Sequence, residues 1–338
     1  MTYLMVLGGL VLLFMGGEAL VRGSVSIARK LNISELVIGL TLVGFGTSVP
    51  ELVTSLRAIG QGAVGIAVGN VVGSNIANIL LVLGLAAVIR PILTNPRALS
   101  RDGSVMLGVT ALLCALIWFD LFTRLAGFGL IGLLLAYLAY SLVADQKRDT
   151  DAAAMHAAEG EIVQAQYGLF VGLIIAVIGL AAVIIGARLL VDGGVSIARD
   201  FGISETIIGL TIVAVGTSLP ELATTAVAAY RGKSDVALGN IIGSNIFNVL
   251  GILGVTALVQ PFSVRGNTAV GSIADGATSL ISPLDIGMLV LSTVLLMFFA
   301  ITCKRISRWE GAVLLLAYAT YFGLLFGLVP VPGILTNA

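Results

Sequence analysis

The sequence predicts an all-α polytopic membrane protein built from two related halves that enter the membrane in opposite orientations. Three observations lead to this fold class: the composition, the number of apolar segments, and an internal repeat. Of the 338 residues, 58% are hydrophobic and only 11% are charged, whereas soluble domains carry about 25% charged residues. A water-soluble globule could not keep so much apolar surface from solvent, so the lipid bilayer is the first predicted partner.

Ten segments are long and apolar enough to be spanning helices, which need about 20 mostly apolar residues. They are 2–22, 34–59, 63–89, 104–121, 125–144, 167–190, 205–230, 235–260, 285–303 and 309–330. The first lacks the basic residues that open a secretory signal peptide, so we interpret it as a spanning helix. The predicted organisation is a first five-helix half (1–144), a polar linker loop (145–166) and a second five-helix half (167–338).

The two halves are related by an offset of 170 residues. Val25–Ser55 and Val195–Thr225 are identical at 20 of 31 positions, and the same offset aligns Gly69–Leu80 with Gly239–Leu250. Because each half has an odd number of spans, the second half is expected to be inverted in the membrane. Inverted repeats with interrupted helices are typical of secondary transporters, whose binding site lies near the bilayer midplane.

Glu51 and Glu221 are the two acidic residues that fall well inside strongly apolar spans, at equivalent positions of the repeat. A charge at this depth costs about 2.5–3.5 kcal/mol on insertion scales, and no Lys or Arg of the sequence lies at a similar depth. The two carboxyl groups are therefore expected to be protonated or to hold a cation. The simplest alternative is a pair of neutral glutamates that join helices by hydrogen bonds.

Each glutamate ends the motif Gly-Thr-Ser-x-Pro-Glu, at 46–51 and at 216–221. Pro50 and Pro220 interrupt their helices and free a backbone carbonyl one turn earlier, which a membrane protein tolerates only beside protein or a cavity. The neighbouring hydroxyl groups are those of Thr47, Ser48, Thr217 and Ser218. An all-oxygen cluster of this kind suits Ca²⁺ or Na⁺ and does not suit Zn²⁺ or Cu⁺.

A second repeated motif, Gly-Asn-x-x-Gly-Ser-Asn-x-x-Asn, follows the first in both halves. Its serine and last asparagine are four residues apart and share one helical face. These residues are Ser74 and Asn78 in the first half and Ser244 and Asn248 in the second. The remaining asparagines of the motif equally fit a role as hydrogen-bonded links between helices; they are Asn70, Asn75, Asn240 and Asn245.

With these motifs the sequence resembles the cation/Ca²⁺ exchanger superfamily. GTSVPE…GNVVGSNIAN and GTSLPE…GNIIGSNIFN resemble the two α-repeats of that family, here 44–80 and 214–250. Among its members, the YrbG-like bacterial calcium/sodium antiporters are the most similar. The resemblance implies a sodium/calcium exchanger-like fold and antiport of Ca²⁺ against Na⁺ by alternating access.

The resemblance also implies which residues bind the ions. The central Ca²⁺ site would consist of Thr47, Glu51, Thr217 and Glu221. One Na⁺ site would use Gly44, Thr47, Ser48, Glu51 and Ser74, and the other Ala214, Thr217, Ser218, Glu221 and Ser244. Asn78 and Asn248 would line the middle of the site. Archaeal relatives of known structure carry an aspartate where this chain has Asn248, so this site holds two formal negative charges instead of three.

Other functions fit parts of the same pattern. A Ca²⁺/H⁺ or K⁺-dependent antiporter would use the same glutamates, and Asn248 keeps this alternative open. A cation channel would conduct without a counter-ion, and an intramembrane enzyme would need an activated nucleophile that no deep His, Lys or Asp supports. We expect no cofactor and, at zero net charge, no nucleic-acid partner; the sequence is compatible with a monomer.

The distribution of basic residues predicts the orientation, because positive residues are enriched in cytoplasmic loops. With the N-terminus outside, thirteen of the eighteen Lys and Arg residues fall in cytoplasmic loops and five fall in outer loops. Both termini are therefore expected to be extracytoplasmic, in a bacterial inner membrane. The linker loop 145–166 is then cytoplasmic.

The variant His156→Cys, made in a chain that lacks Cys114 and Cys303, tests this orientation. We expect a membrane-impermeant thiol reagent to label it in inside-out vesicles and to leave it unlabelled in intact spheroplasts. Labelling in the spheroplasts would reverse the predicted orientation.

Overall fold

The computed structural model describes residues 2–94, 96–156, 167–201, 214–265, 281–302 and 304–325. Within this part of the chain, seven helices are long and apolar enough to cross a membrane. The number is eight if the bent pair Glu35–Thr47 and Val49–Gly60 counts as one span. The all-α polytopic class is confirmed. Ten spans remain a prediction, because the seventh and tenth predicted spans lie partly outside the described residues.

The helices of the first half are α1 (Thr2–Leu31), α2 (Glu35–Ile38), α3 (Gly44–Thr47), α4 (Val49–Gly60), α5 (Val64–Ala77), α6 (Gly84–Ile89), α7 (Pro96–Phe119) and α8 (Arg124–His156). Those of the second half are α9 (Leu169–Asp200), α10 (Ala214–Gly216), α11 (Leu219–Tyr230), α12 (Ser234–Phe247), α13 (Gly254–Val259), α14 (Pro283–Thr302) and α15 (Arg308–Leu325). Wider π-helical turns at Gly39–Val43, Asn78–Leu83 and Asn248–Leu253 join α2 to α3, α5 to α6 and α12 to α13.

Two features differ from the sequence-based expectation. Helix α8 continues to His156, so the first part of the predicted linker loop is helical, and 157–166 lie outside the described residues. Two strands of two residues each, β1 (Ile92–Leu93) and β2 (Arg305–Ile306), pair antiparallel. Segments of two residues are too short to show the alternation that identifies a strand in a sequence.

Contacts between loops define the two ends of the molecule. At one end, the amide of Thr94 donates to the carbonyl of Lys304 (2.9 Å), and Lys233 Nζ donates to Glu35 Oε1 (2.8 Å). At the opposite end, a backbone hydrogen bond of 3.2 Å joins the loops that follow α7 and α13. We call the first the basic end, because it carries most of the Lys and Arg residues that are predicted to be cytoplasmic.

The first helices of the two halves, α1 and α9, cross in direct backbone contact through glycines that recur every seven residues. These are Gly9, Gly16 and Gly23 on α1 and Gly172, Gly179, Gly186 and Gly193 on α9. A Cβ on Gly179 would lie 2.4 Å from the backbone nitrogen of Leu20, and one on Gly23 would lie 2.6 Å from that of Ala176. Small residues at such positions let membrane helices approach closely.

We expect Gly179→Ala to lower the melting temperature of the purified protein in detergent, because the added methyl group must displace the backbone of α1. Overpacking of this kind costs about 1–3 kcal/mol. Gly8→Ala is the matched control, since open space surrounds a Cβ at that position of α1. Equal melting temperatures for the two variants would contradict this packing.

Candidate cation site

Both repeats interrupt a helix at the centre of the molecule. Helix α3 ends at Thr47 and α4 begins at Val49, with a bend of 43° at the break. Ser48 lies at this break, and Ser218 occupies the equivalent place before α11, with nearly the same backbone angles (φ −85°, ψ 7° and φ −86°, ψ 4°). These angles belong to the sparsely populated bridge region. The interruption predicted from the prolines is therefore present in both halves.

Glu51 and Glu221 lie in the first turns of α4 and α11, and each is 1% exposed. Two carboxylates that share a site repel one another when both are charged. The hydroxyl of Ser48, from the first half, donates to Glu221 Oε1 of the second half at 2.9 Å. Helix N-termini favour negative charge, which offsets part of the cost of burying these groups.

Five buried oxygen atoms at this place have no hydrogen-bond partner within the described part of the chain. They are Glu51 Oε1 and Oε2, Glu221 Oε2, Asn78 Oδ1 and Asn248 Oδ1. Among the same residues, no ion pair includes either glutamate. An unpaired buried acceptor costs about 1–3 kcal/mol, and a charged one costs more. Carboxylate and amide oxygens are the ligands that Ca²⁺ prefers, and it binds six to eight of them.

Neutral oxygens surround the carboxyl groups. Thr47 Oγ1 donates to the carbonyl of Val43 (3.0 Å) and lies 3.2 Å from Asn240 Oδ1. The predicted residues Ser74, Ser218 and Ser244 are buried and Thr217 is half-buried. Ala214 is the first residue of α10, at the edge of the described residues.

The contacts cross between the halves, whereas each predicted Na⁺ group drew its residues from one half. Gly44 was grouped with Ser74, but its carbonyl accepts from the hydroxyl of Ser244 at 3.0 Å. Ser48 was grouped with Glu51, but its hydroxyl donates to Glu221. Inverted halves meet at the midplane, so each helix break faces the other half. These contacts join residues of the two predicted Na⁺ groups, and the grouping itself stays a prediction.

Two asparagines of the second motif support the backbone of the glutamates. Asn70 Nδ2 donates to the carbonyl of Glu51 (3.2 Å) and to Ser55 Oγ (3.1 Å). The equivalent Asn240 makes both equivalent contacts in the second half, at 3.5 and 2.8 Å. Asn70 and Asn240 are therefore hydrogen-bonded links between helices, which is one of the roles predicted from the sequence for the remaining asparagines of the motif.

Asn78 and Asn248 are the first residues of equivalent π-helical turns and are 1% and 0% exposed. Single π-helical turns inside α-helices recur at functional sites. The four-residue spacing predicted the helical face of these asparagines. It did not predict the π-helical turns, whose hydrogen-bond pattern has no separate signature in the residue types.

A cavity of about 280 Å³ lies between the site and the end opposite the basic end. Pro50 and Thr217 line it near the site, and Arg57, Arg188 and Asp192 line it farther out. The cavity reaches Thr217 of the predicted site, whereas Glu51 and Glu221 themselves are buried.

Toward the basic end, α1 packs closely on α11. Glu18 Oε2 accepts a hydrogen bond from Arg231 Nε at 2.6 Å, and Glu18 Oε1 pairs with Arg22. A Cβ on Gly17 would lie 3.2 Å from the side chain of Val227. A cavity of about 290 Å³ lies on this side as well, lined by residues that include Glu18, Arg22, Arg29, Arg231 and Lys233, so the two ends differ in the residues that line their cavities and not in the presence of one.

Comparison with known proteins assigns the family. A family model described as "Sodium/calcium exchanger protein" matches residues 1–143 and 171–327. The chain belongs to this family. It is therefore an integral membrane protein of an ion-exchanger family, and the sequence-based resemblance to the cation/Ca²⁺ exchanger superfamily is confirmed.

Similarity to individual members of the family covers nearly the whole chain. The putative antiporter CaxA of Alkalimonas amylolytica is 39% identical, over 95% of this chain and 97% of its own. The inner membrane protein YrbG of Escherichia coli is 34% identical, over 96% of both chains. A solved structure of the sodium-calcium exchanger NCX_Mj is 34% identical with a TM-score of 0.78, and the alignment covers 96% of this chain and 98% of that one.

Amide variants of the glutamates test whether the unpaired oxygens bind a cation. Because Glu51→Gln and Glu221→Gln each remove a buried charge, we expect the melting temperature in ion-free detergent to hold or rise. We expect both variants to lose the stabilisation by Ca²⁺, which is about 2.7 kcal/mol at 100 times the Kd. Glu35→Gln, at the basic end, should keep it. Undiminished Ca²⁺ stabilisation of Glu51→Gln would contradict this assignment.

Proposed function

We propose that this chain is a secondary antiporter that exchanges Ca²⁺ for Na⁺ through one midplane site. The observation that carries the proposal is the set of unpaired buried oxygens centred on Glu51 and Glu221, one carboxyl group from each inverted half. Thr47 and Thr217 complete the proposed Ca²⁺ site, with Asn78 and Asn248 at its margin. The names of the relatives support the same ions, since NCX_Mj is a sodium-calcium exchanger.

The charge of the site suggests how the two fluxes are coupled. Two carboxylates neutralise one Ca²⁺, and the same oxygens can instead hold two Na⁺ with help from neighbouring hydroxyl and carbonyl groups. Because the ions compete for shared ligands, one must leave before the other binds, and coupling requires no cofactor. The remaining proposed Na⁺ ligands are Gly44, Ser48, Ser74, Ala214, Ser218 and Ser244.

The crossed contacts support a revised grouping of the Na⁺ ligands. The carbonyl of Gly44 accepts from the hydroxyl of Ser244, and the hydroxyl of Ser48 donates to Glu221. By the symmetry of the repeat, the equivalent residues of the second half would join Glu51 and Ser74. Each Na⁺ would then bind both halves, so that binding and release affect their relative position.

Cavities lie at both ends of the molecule. One lies beside Thr217, and the other lies at the basic end beside Glu18 and Arg231. We propose that transport by alternating access opens the site to these two cavities in turn, with the site fixed between them.

A Ca²⁺/H⁺ antiporter is the second candidate. It is favoured by Glu51, whose two oxygens are both unpaired, because a carboxyl group in that position can carry a proton when no metal ion is present. The same residues would then serve both candidates, and only the counter-ion would differ.

Purified protein in liposomes distinguishes these functions. We expect ⁴⁵Ca²⁺ uptake that requires an outward Na⁺ gradient, is unaffected by a pH gradient alone, and is abolished in Glu51→Gln and Glu221→Gln. Uptake driven by a pH gradient without Na⁺ would establish the second candidate. Uptake with neither gradient, at a rate above antiporter turnover, would establish a channel and contradict both antiporter candidates.

Asn248→Asp adds a third carboxyl group to the proposed site. Like charges that share a site favour protonation of one of them, so we expect Ca²⁺ flux in this variant to fall with acidification more steeply than in the wild type. Asn32→Asp, at an exposed position, is the matched control. Superimposable pH profiles for Asn248→Asp and the wild type would remove Asn248 from the site.

A further inference from the structure

Two amide pairs cross between the halves beside the proposed site. Asn78 Nδ2 donates to Asn245 Oδ1 at 3.1 Å, and Asn248 Nδ2 donates to Asn75 Oδ1 at 2.9 Å. All four side chains are at most 3% exposed. Asn78 and Asn248 each begin a π-helical turn. Their partners, Asn245 and Asn75, lie in the last α-helical turn of α12 and of α5, in the opposite half.

The amide pairs determine which end of Asn78 and Asn248 is free. A primary amide has a donor end and an acceptor end, and in both residues the donor end is engaged. Their Oδ1 atoms are buried without a partner in the described chain. If either amide turned over, its NH₂ group would replace an acceptor at the site and repel a cation.

Asn75 and Asn245 are themselves held in one orientation. Asn75 Nδ2 donates to the backbone carbonyl of Asn245 at 3.3 Å. Asn245 Nδ2 lies 3.8 Å from the sulfur of Met106 on α7, within the distance of a weak hydrogen bond. Since their donor ends are engaged elsewhere, both residues present an oxygen to their partner asparagine.

We propose that Asn75 and Asn245 are positioning residues, which hold the carbonyl oxygens of Asn78 and Asn248 toward the transported ion. This inference rests on the proposed cation site and adds two residues that do not themselves touch the ion. Each half thereby orients a site oxygen of the other half. A role only in helix packing would make the same hydrogen bonds but would not affect ion affinity through Asn78 and Asn248.

A double-mutant cycle on Ca²⁺ affinity tests the inference. Titration calorimetry with Ca²⁺ in Na⁺-free detergent gives the Kd of the full-length protein. We expect Asn75→Ala to raise the Kd about tenfold, as for the loss of one buried hydrogen bond to a polar partner. In the Asn248→Ala background, Asn75→Ala should have no further effect, because the oxygen that it positions is gone. Asn245→Ala should likewise raise the Kd for Ca²⁺ on its own and have no further effect in the Asn78→Ala background.

The mismatched pairs provide the control. Asn75→Ala with Asn78→Ala, and Asn245→Ala with Asn248→Ala, combine residues whose side chains are not hydrogen-bonded to each other and whose backbone hydrogen bonds the substitutions keep, so their effects on the Kd should multiply. Asn75→Leu and Asn245→Leu keep the branched shape of the side chain without its hydrogen-bonding groups, and they replace any alanine variant that does not yield folded protein. Melting temperatures in ion-free detergent separate loss of folding from loss of affinity.

An unchanged Kd in Asn75→Ala and Asn245→Ala would overturn the inference. An effect of Asn75→Ala that is equally large with and without Asn248 would also overturn it, even if the wild type binds and exchanges Ca²⁺ as proposed. Absence of Ca²⁺ binding by the folded wild-type protein would overturn the proposed function, and the inference with it.

Discussion

Two carboxyl groups held together in the membrane interior are the constraint on which the rest of this structure depends. No cationic side chain of the described residues pairs with either of them. A charge at that depth costs about 2.5–3.5 kcal/mol on insertion scales, and the mutual repulsion of Glu51 and Glu221 adds to this cost. The fold places each at a helix N-terminus and supplies the Ser48 hydroxyl to one of them. It leaves the other carboxyl oxygens unpaired, which is the arrangement that a bound cation stabilises.

The inverted repeat explains why the site is complete only when both halves meet. A single half provides one glutamate, one interrupted helix and one buried asparagine at the start of a π-helical turn, and none of these can enclose an ion. Facing copies bring Gly44 to Ser244, Ser48 to Glu221 and Asn78 to Asn245. The halves differ at the site, where Ser48 donates to Glu221 and both oxygens of Glu51 lack a partner among the described residues, and they also differ at the ends. The offset that conserves the motifs reverses the charges of Glu18 and Arg22, whose equivalents are Arg188 and Asp192.

Much of this architecture follows from the sequence, because its signals are local. Composition and segment length indicate a membrane protein, the offset of 170 residues indicates the inverted repeat, and Pro50 and Pro220 indicate the helix breaks. The crossed contacts could not be predicted, since they depend on how the two halves pack, and no pattern within one segment records this. The seven-residue spacing of the glycines on α1 and α9 is visible in the sequence, and a search for it would have identified this helix contact.

The central claim is that carboxyl groups from both halves bind the same ion. An experimental structure of the protein with bound Ca²⁺ tests it most directly. We predict one ion with oxygens of both Glu51 and Glu221 at about 2.3–2.6 Å, together with Thr47 and Thr217. A Ca²⁺ ion bound elsewhere, with the two glutamates hydrogen-bonded to helices as neutral groups, would contradict it.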